Sequence, residues 1–109
     1  TNTIIPVPYD FDYSGAVGTE YAVPNGDYPI ETVKERYYLG LCRPAAHYQQ
    51  LFDFYLSKEK DLYDHIERAS FLHPAARKQM TEYLGGFFKI LKDPRLAKRD
   101  ILQNCNKGR

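Results

Sequence analysis

The chain has 109 residues, of which 43% are hydrophobic and 27% charged, and its net charge is +1. This length suits one globular domain, 1–109, and excludes a multidomain organisation. The composition excludes intrinsic disorder outside the chain ends, and no run of about 18 apolar residues predicts a membrane span.

Charge is distributed unevenly along the chain. Residues 1–30 have a net charge of −4, residues 31–88 of 0 and residues 89–109 of +5. A basic tail can bind phosphate or nucleic acid, but here no aromatic residues alternate with the basic ones. We therefore predict a solvated helix face at the basic end and no binding of nucleic acid.

Residues 1–30 predict an irregular acidic and aromatic segment with one short strand. The β-branched residues between Thr3 and Val7 favour that strand, and Pro6 and Pro8 confine it to a sheet edge because proline lacks a backbone N–H. A lone strand is unstable, so its sheet has to be supplied by another part of the protein. Together with the initial Thr1, this indicates the C-terminal fragment of a larger protein.

Residues 31–109 predict a helical part, which makes the fold class mainly α with four to five antiparallel helices. Proline, serine and glycine signals place these helices at Thr32–Leu39, from Pro44, from the cap Ser57, from His73–Pro74, and from about Arg95 to Gln103. The second and third can also form one kinked helix. A buried stripe is expected at Tyr48, Leu51, Phe52 and Tyr55, and Gly85–Gly86 allow a close neighbour or a bend.

The two cysteines, Cys42 and Cys105, have neither the CxxC spacing nor the nearby histidine of a zinc site. In an exported protein they can form a disulfide that clamps the C-terminal segment to the middle of the chain. In a cytosolic protein they would be small buried hydrophobic residues. The sequence leaves the two alternatives open.

Two carboxylates, Asp10 and Asp12, lie in an aromatic run that is followed by Ser14 and Gly15. With those two residues they match the first ligand positions of a calcium loop. The match then fails, because Tyr21 stands where the bidentate glutamate is needed and the prolines before the motif exclude an incoming helix. Calcium binding therefore remains the weaker alternative, and the loop that would bind the ion is not an EF-hand.

An aspartate directly after a strand can also bind the magnesium that bridges nucleotide phosphates. The run PYDFD at 8–12 resembles the Asp-x-Asp segment of CotH-type, kinase-like spore-coat proteins. The longer run VPYDFDYSGAV at 7–17, followed by Val33-x-Glu35-Arg36 and Gly40-Leu41-Cys42, resembles the C-terminal part of an uncharacterised family of exported bacterial proteins.

This resemblance implies that Asp10 is the leading metal ligand, Asp12 a second one and Ser14 a further candidate. The cofactors of the parent protein would be Mg²⁺ and a nucleotide. The phosphate-covering loop, the phosphate-pairing lysine and the catalytic loop of such folds would lie in the upstream part of the same polypeptide, so this chain would not be catalytic alone. The resemblance also implies a periplasmic or extracellular location, while the residues leave a cytoplasmic one open.

Two alternatives to the kinase-like interpretation remain at this stage. Asp10 and Asp12 can cap backbone N–H groups or pair with a basic residue such as Arg36, which is the usual role of carboxylates in loops. The whole chain can also be a non-enzymatic binding or interaction module with a structural or calcium-binding acidic loop.

Overall fold

The computed structural model describes residues 3–8, 10–11 and 13–107, and within them the fold is mainly α. It has three helices of ten residues or more, α1 (Ala45–Ser57), α2 (Glu59–Arg68) and α3 (Pro74–Lys92). A single turn, α4 (Pro94–Ala97), continues into a π-helical turn at Lys98–Leu102. The predicted fold class is confirmed in this coarse form, whereas four to five helices and a strand are wrong. No helix of the described chain is long and apolar enough to span a membrane.

Helix α3 lies at the centre, because α1, α2 and α4 all contact it. The apolar side chains that the fold buries most completely come from these helices; they are Tyr48, Ile66, Phe88, Leu91 and Ala97. Phe88 is only 1% exposed and is the largest side chain to be fully buried in the described part of the chain. The predicted stripe on α1 is only partly covered, since Leu51 is 50% and Tyr55 43% exposed.

The boundaries of α3 agree with the proline signals. Pro74 occupies the first turn, where its missing N–H is not needed, and the His73 ring accepts a hydrogen bond of 3.1 Å from the backbone N–H two residues on. At the other end Asp93 separates α3 from α4, and its carboxylate accepts a 3.0 Å bond from the N–H of Arg95. A side-chain cap thus accepts a bond from a backbone N–H at the start of α3, and another does so at the start of α4, directly after α3 ends.

Helices α1 and α2 are separated at Lys58. The prediction that Ser57 caps α2 is wrong: its hydroxyl donates a 2.6 Å bond back to the carbonyl of Phe54. Ser57 therefore ends α1, and the helix after it begins without a side-chain cap.

The predicted strand between Thr3 and Val7 does not form. Residues 3–8 form no regular secondary structure, and Ile4 is 94% exposed. Pro6 and Pro8 remove two backbone donors, and the described chain contains no other strand to pair with the remaining ones.

The predicted helix Thr32–Leu39 is replaced by a turn. One carboxylate oxygen of Glu35 accepts bonds from the N–H groups of Glu31 (2.8 Å) and Thr32 (2.7 Å). The bond to Thr32 is half of a capping box, a helix-start signal, but no helix follows it. A helix this short is unstable unless its neighbours support it, so the signal alone was insufficient.

The predicted last helix, Arg95 to Gln103, is present only as α4 and the π-helical turn. The N–H of Gln103 bonds the carbonyl of Lys98 at 2.8 Å, which is the five-residue spacing of a π-helix. Ile101 and Leu102 are therefore half-buried, and Ala97 occupies the buried position of this end.

Candidate functional site

Asp10 is the one predicted metal ligand of the pair that the structure describes, because Asp12 lies outside the described residues. Asp10 is exposed, and its backbone has φ of 56°. Few residues other than glycine adopt this left-handed conformation, and aspartate is among those that tolerate it best. Such conformations cost energy and concentrate at functional sites.

The residues after Asp10 form two consecutive turns. The N–H of Ser14 bonds the carbonyl of Phe11 at 2.9 Å, and the N–H of Val17 bonds the carbonyl of Ser14 at 3.1 Å. The Ser14 hydroxyl oxygen accepts a 3.2 Å bond from the N–H of Ala16. Ser14, the further candidate ligand, thus stabilises the turn and keeps one lone pair for another partner.

Gly15 fixes this turn to the rest of the molecule. It is buried, and a Cβ atom here would overlap the carbonyl oxygen of Val33 and lie 2.8 Å from the ring of Tyr83. Only glycine permits so close an approach. The bend that the sequence predicts at Gly15 is therefore also the point where the loop that contains Asp10, which we call the acidic loop, packs on α3.

Arg36 packs on the same tyrosine of α3. Its guanidinium carbon lies 4.4 Å from the ring centroid of Tyr83, and its Nη2 donates a hydrogen bond to the Tyr83 carbonyl. A Cβ at Gly86 would lie 3.0 Å from Arg36 Nη1. Gly86 thus provides the space for a close neighbour, one of the two roles that its sequence position allowed.

The described residues of the loop around Asp10 do not on their own provide a complete cation site. Among the described residues there is no group of three or more histidine, cysteine, aspartate or glutamate side chains that could hold a metal ion. Magnesium and calcium take six or more oxygen ligands, several of which can be waters. Asp10 together with Asp12 fits such an ion only as part of a ligand set.

A second feature, which we call the aromatic cleft, was not predicted from the sequence. For Tyr37 and Tyr38 the sequence left a binding surface as the weaker alternative to core packing. The aromatic cleft is open to solvent and has a volume of about 450 Å³, within the usual range of ligand pockets. Its walls are the residues 28–39 loop, α3 and the π-helical turn. The apolar and aromatic residues that line it include Tyr28, Tyr37, Tyr38, Tyr83, Phe87 and Ile101. The Tyr28 and Tyr37 rings lie 5.5 Å apart.

The two carboxylates that line the aromatic cleft, Glu35 and Asp100, are engaged within the chain. The two backbone bonds to Glu35, from Thr32 and from Glu31, lower the pKa of its carboxyl. Asp100 pairs with Arg99 at 2.6 Å, and this hydrogen bond lowers the pKa of the Asp100 carboxyl. Neither carboxylate has the raised pKa of a general acid.

Cys42 and Cys105 are joined by a disulfide, with their Cα atoms 4.9 Å apart. Backbone bonds flank it: the N–H of Cys42 bonds the carbonyl of Asn106 at 2.8 Å, and the N–H of Asn106 bonds the carbonyl of Gly40 at 2.9 Å. We use the name clasp for the disulfide, these two backbone bonds and the isolated bridge between Leu41 and Asn106.

No protein-family model, curated protein or solved structure matches this chain. The resemblance to exported, kinase-like bacterial proteins therefore stays a prediction, which depends on the motif at 7–17.

Proposed function

We propose that this chain is a non-catalytic helical module that carries the Asp-x-Asp half of a kinase-like cation site. Asp10 and Asp12 would bind Mg²⁺ together with nucleotide phosphates, and the upstream part of the same polypeptide would contribute the remaining groups. Calcium is the alternative ion for the same oxygens. An exported protein is the setting in which the Cys42–Cys105 disulfide would persist.

The left-handed backbone of Asp10 is the observation that carries this proposal. Asp10 has the strained backbone conformation, and it is also the residue that the motif implies as the leading ligand. The residue is exposed. The turn after it is tied to α3 through Gly15, so the helices give the acidic loop a rigid base. A cation site needs this support, because its ligands must be held in place before the ion binds.

The segment before Asp10 supports a site that is completed by another part of the protein. Ile4, Ile5 and Val7 are 94%, 75% and 78% exposed. Consecutive apolar side chains are rarely left in water without a partner, and β-branched residues suit the edge of a sheet. A sheet that covers them would lie directly beside Asp10.

The test uses the whole polypeptide that the gene encodes. We expect Mg²⁺-dependent binding of a nucleoside triphosphate, measured by calorimetry, and we expect Asp10→Asn to weaken it at least tenfold. Asp27→Asn is the matched control, because Asp27 is an exposed loop carboxylate of the same acidic segment. It should leave the affinity unchanged.

Equal affinity in the Asp10→Asn and Asp27→Asn proteins would contradict the proposed role of Asp10. A whole polypeptide that binds no nucleotide at any magnesium concentration would contradict the kinase-like parent. Repeating the titration with Ca²⁺ alone tests the alternative ion, since a calcium loop would respond without a nucleotide.

The second candidate function is a non-enzymatic interaction module, and the same exposed residues favour it. In that case, replacement of Ile4, Ile5 and Val7 by serine would abolish binding to the partner, while Asp10→Asn would have no effect on it. Asp10→Asn therefore separates the two functions, because it should weaken nucleotide binding in the first and leave partner binding unchanged in the second.

A further inference from the structure

We propose that the clasp is a redox-sensitive closure of the aromatic cleft: when a dithiol reduces Cys42–Cys105, the cleft opens while α2 and α3 stay folded. The inference concerns a different part of the molecule from the acidic loop and does not depend on the proposed function.

The clasp joins two walls of the aromatic cleft. Tyr38 and Leu39 form part of one wall, and the chain reaches Cys42 three residues later. Ile101 belongs to the other wall, and Cys105 follows it by four residues. The disulfide and its two flanking backbone bonds therefore hold the loop wall against the π-helical wall.

The loop wall depends strongly on this connection. Residues 28–43 contain no helix and no strand paired beyond the bridge at Leu41. Their side-chain anchors to the helices include Arg36 on Tyr83 and the ring of Tyr38, 6.2 Å from that of Tyr48. These anchors are not covalent. Segments with so little regular structure open at lower free energy than packed helices do.

In the helical core, Tyr48 of α1 bonds the backbone on both sides of Cys42, but the core side chains of α2 and α3 lie outside the clasp. Ile66, Phe88 and Leu91 are 9%, 1% and 7% exposed, and they come from α2 and α3. Burial of such side chains is the main source of helix stability in proteins, and none of these three lies in the segments that the disulfide joins. Loss of the clasp should therefore affect the loop before the core.

The disulfide is open to the required chemistry. Cys42 is exposed and Cys105 half-buried, so a thiolate of the dithiol can attack Cys42 Sγ, breaking the S–S bond and releasing Cys105 as a thiolate that takes up a proton. The second thiol of the reductant then displaces Cys42, which is protonated in turn, and the reductant becomes a cyclic disulfide. Two electrons and two protons are transferred. The carbonyl of Leu102, 3.1 Å from Cys105 Sγ, provides an acceptor for the new thiol.

Hydrogen exchange of the oxidised protein, with and without dithiothreitol, tests the proposal. The amides of Cys42 and Asn106, which bond across the clasp, should exchange at least tenfold faster after reduction. Those of Phe88 and Leu91 should change less than twofold, and the helical circular dichroism should persist. The contact between the Arg36 side chain and the Tyr83 ring, which joins the loop wall to α3, should weaken in nuclear Overhauser spectra.

The double variant Cys42→Ser/Cys105→Ser is the control for the reductant. It should show the exchange pattern of the reduced protein both with and without dithiothreitol. Three results would overturn the proposal: unchanged protection of Cys42 and Asn106 after reduction, loss of helical signal together with the clasp, or a double variant that does not fold. The last two would show that the disulfide supports the whole fold.

Discussion

The Tyr48 hydroxyl connects α1 to the chain segment that leads into it. It donates a 3.1 Å bond to the carbonyl of Leu41 and accepts a 3.1 Å bond from the N–H of Arg43. Tyr48 is 4% exposed, whereas Leu41 and Arg43 are exposed residues, so the buried ring brings its hydroxyl to part-buried bonds at the edge of the core. Burial, and then its hydrogen bond with Tyr48, raise the pKa of the neighbouring Tyr38 hydroxyl.

We predict that Tyr48→Phe lowers the free energy of unfolding by about 1 to 2 kcal/mol, because it removes two part-buried hydrogen bonds between the Tyr48 hydroxyl and the backbone. Urea denaturation followed by circular dichroism measures the change. Tyr55→Phe is the matched control on the same helix, since Tyr55 is 43% exposed, and it should change stability by less than about 0.5 kcal/mol. Equal effects in the two variants would show that the Tyr48 bonds contribute nothing.

At the acidic motif, the sequence predicted the local turn but not the contacts that the turn makes with the rest of the chain. The pattern of carboxylates, serine and glycine predicts a turn at Ser14 and Gly15, because turn preferences are local. It does not predict that Gly15 packs on Val33 and Tyr83. That contact joins residues far apart in the chain, and it exists only after α3 has formed.

At the scale of elements, the sequence likewise predicted the features that depend on local signals and not those that depend on distant residues. The starts at Pro74 and Pro94 were predictable because a proline fixes its own φ and lacks an N–H, whatever surrounds it. The strand between Thr3 and Val7 and the helix Thr32–Leu39 were not, because short elements depend on neighbours. The π-helical turn at Lys98–Leu102 also has no local signal in the sequence.

The glycine pair of α3 allows a prediction with an internal control. An exposed glycine inside a helix costs about 1 kcal/mol relative to alanine. A Cβ at Gly85 would meet only the Tyr63 hydroxyl at 3.6 Å, an ordinary contact, so Gly85→Ala should raise the free energy of unfolding by about 0.5 to 1 kcal/mol. Gly86→Ala should not raise the free energy of unfolding in this way, because the new Cβ would displace the Arg36 guanidinium from the Tyr83 ring.

Urea denaturation of the two variants gives the comparison, and the Arg36 side-chain resonances report the displacement directly. They should shift in Gly86→Ala and stay in place in Gly85→Ala. An equal gain in stability from both substitutions would mean that the contact between Arg36 and α3 is not maintained in solution.

The whole molecule is less compact than its length would allow. Its radius of gyration is 15.5 Å, whereas a compact domain of this length would have about 13 Å. The difference corresponds to a helical part with a packed core and a segment before α1 whose described residues form no helix or strand and leave several large apolar side chains exposed. Such an arrangement suits a chain whose first residues pack against something else, as the proposed function requires.

This division leads to a prediction for the triple variant Ile4→Ser/Ile5→Ser/Val7→Ser. Because these side chains are 94%, 75% and 78% exposed, the variant should keep the stability of the isolated chain within about 0.5 kcal/mol, as measured by urea denaturation. Leu91→Ala, at a position only 7% exposed, is the contrasting change and should cost about 2 to 5 kcal/mol. In the whole polypeptide, the triple variant should weaken magnesium-dependent nucleotide binding, because the segment would no longer hold Asp10 against the upstream part. A loss of more than about 1 kcal/mol in the isolated chain would instead mean that the segment already has its apolar partner within these 109 residues.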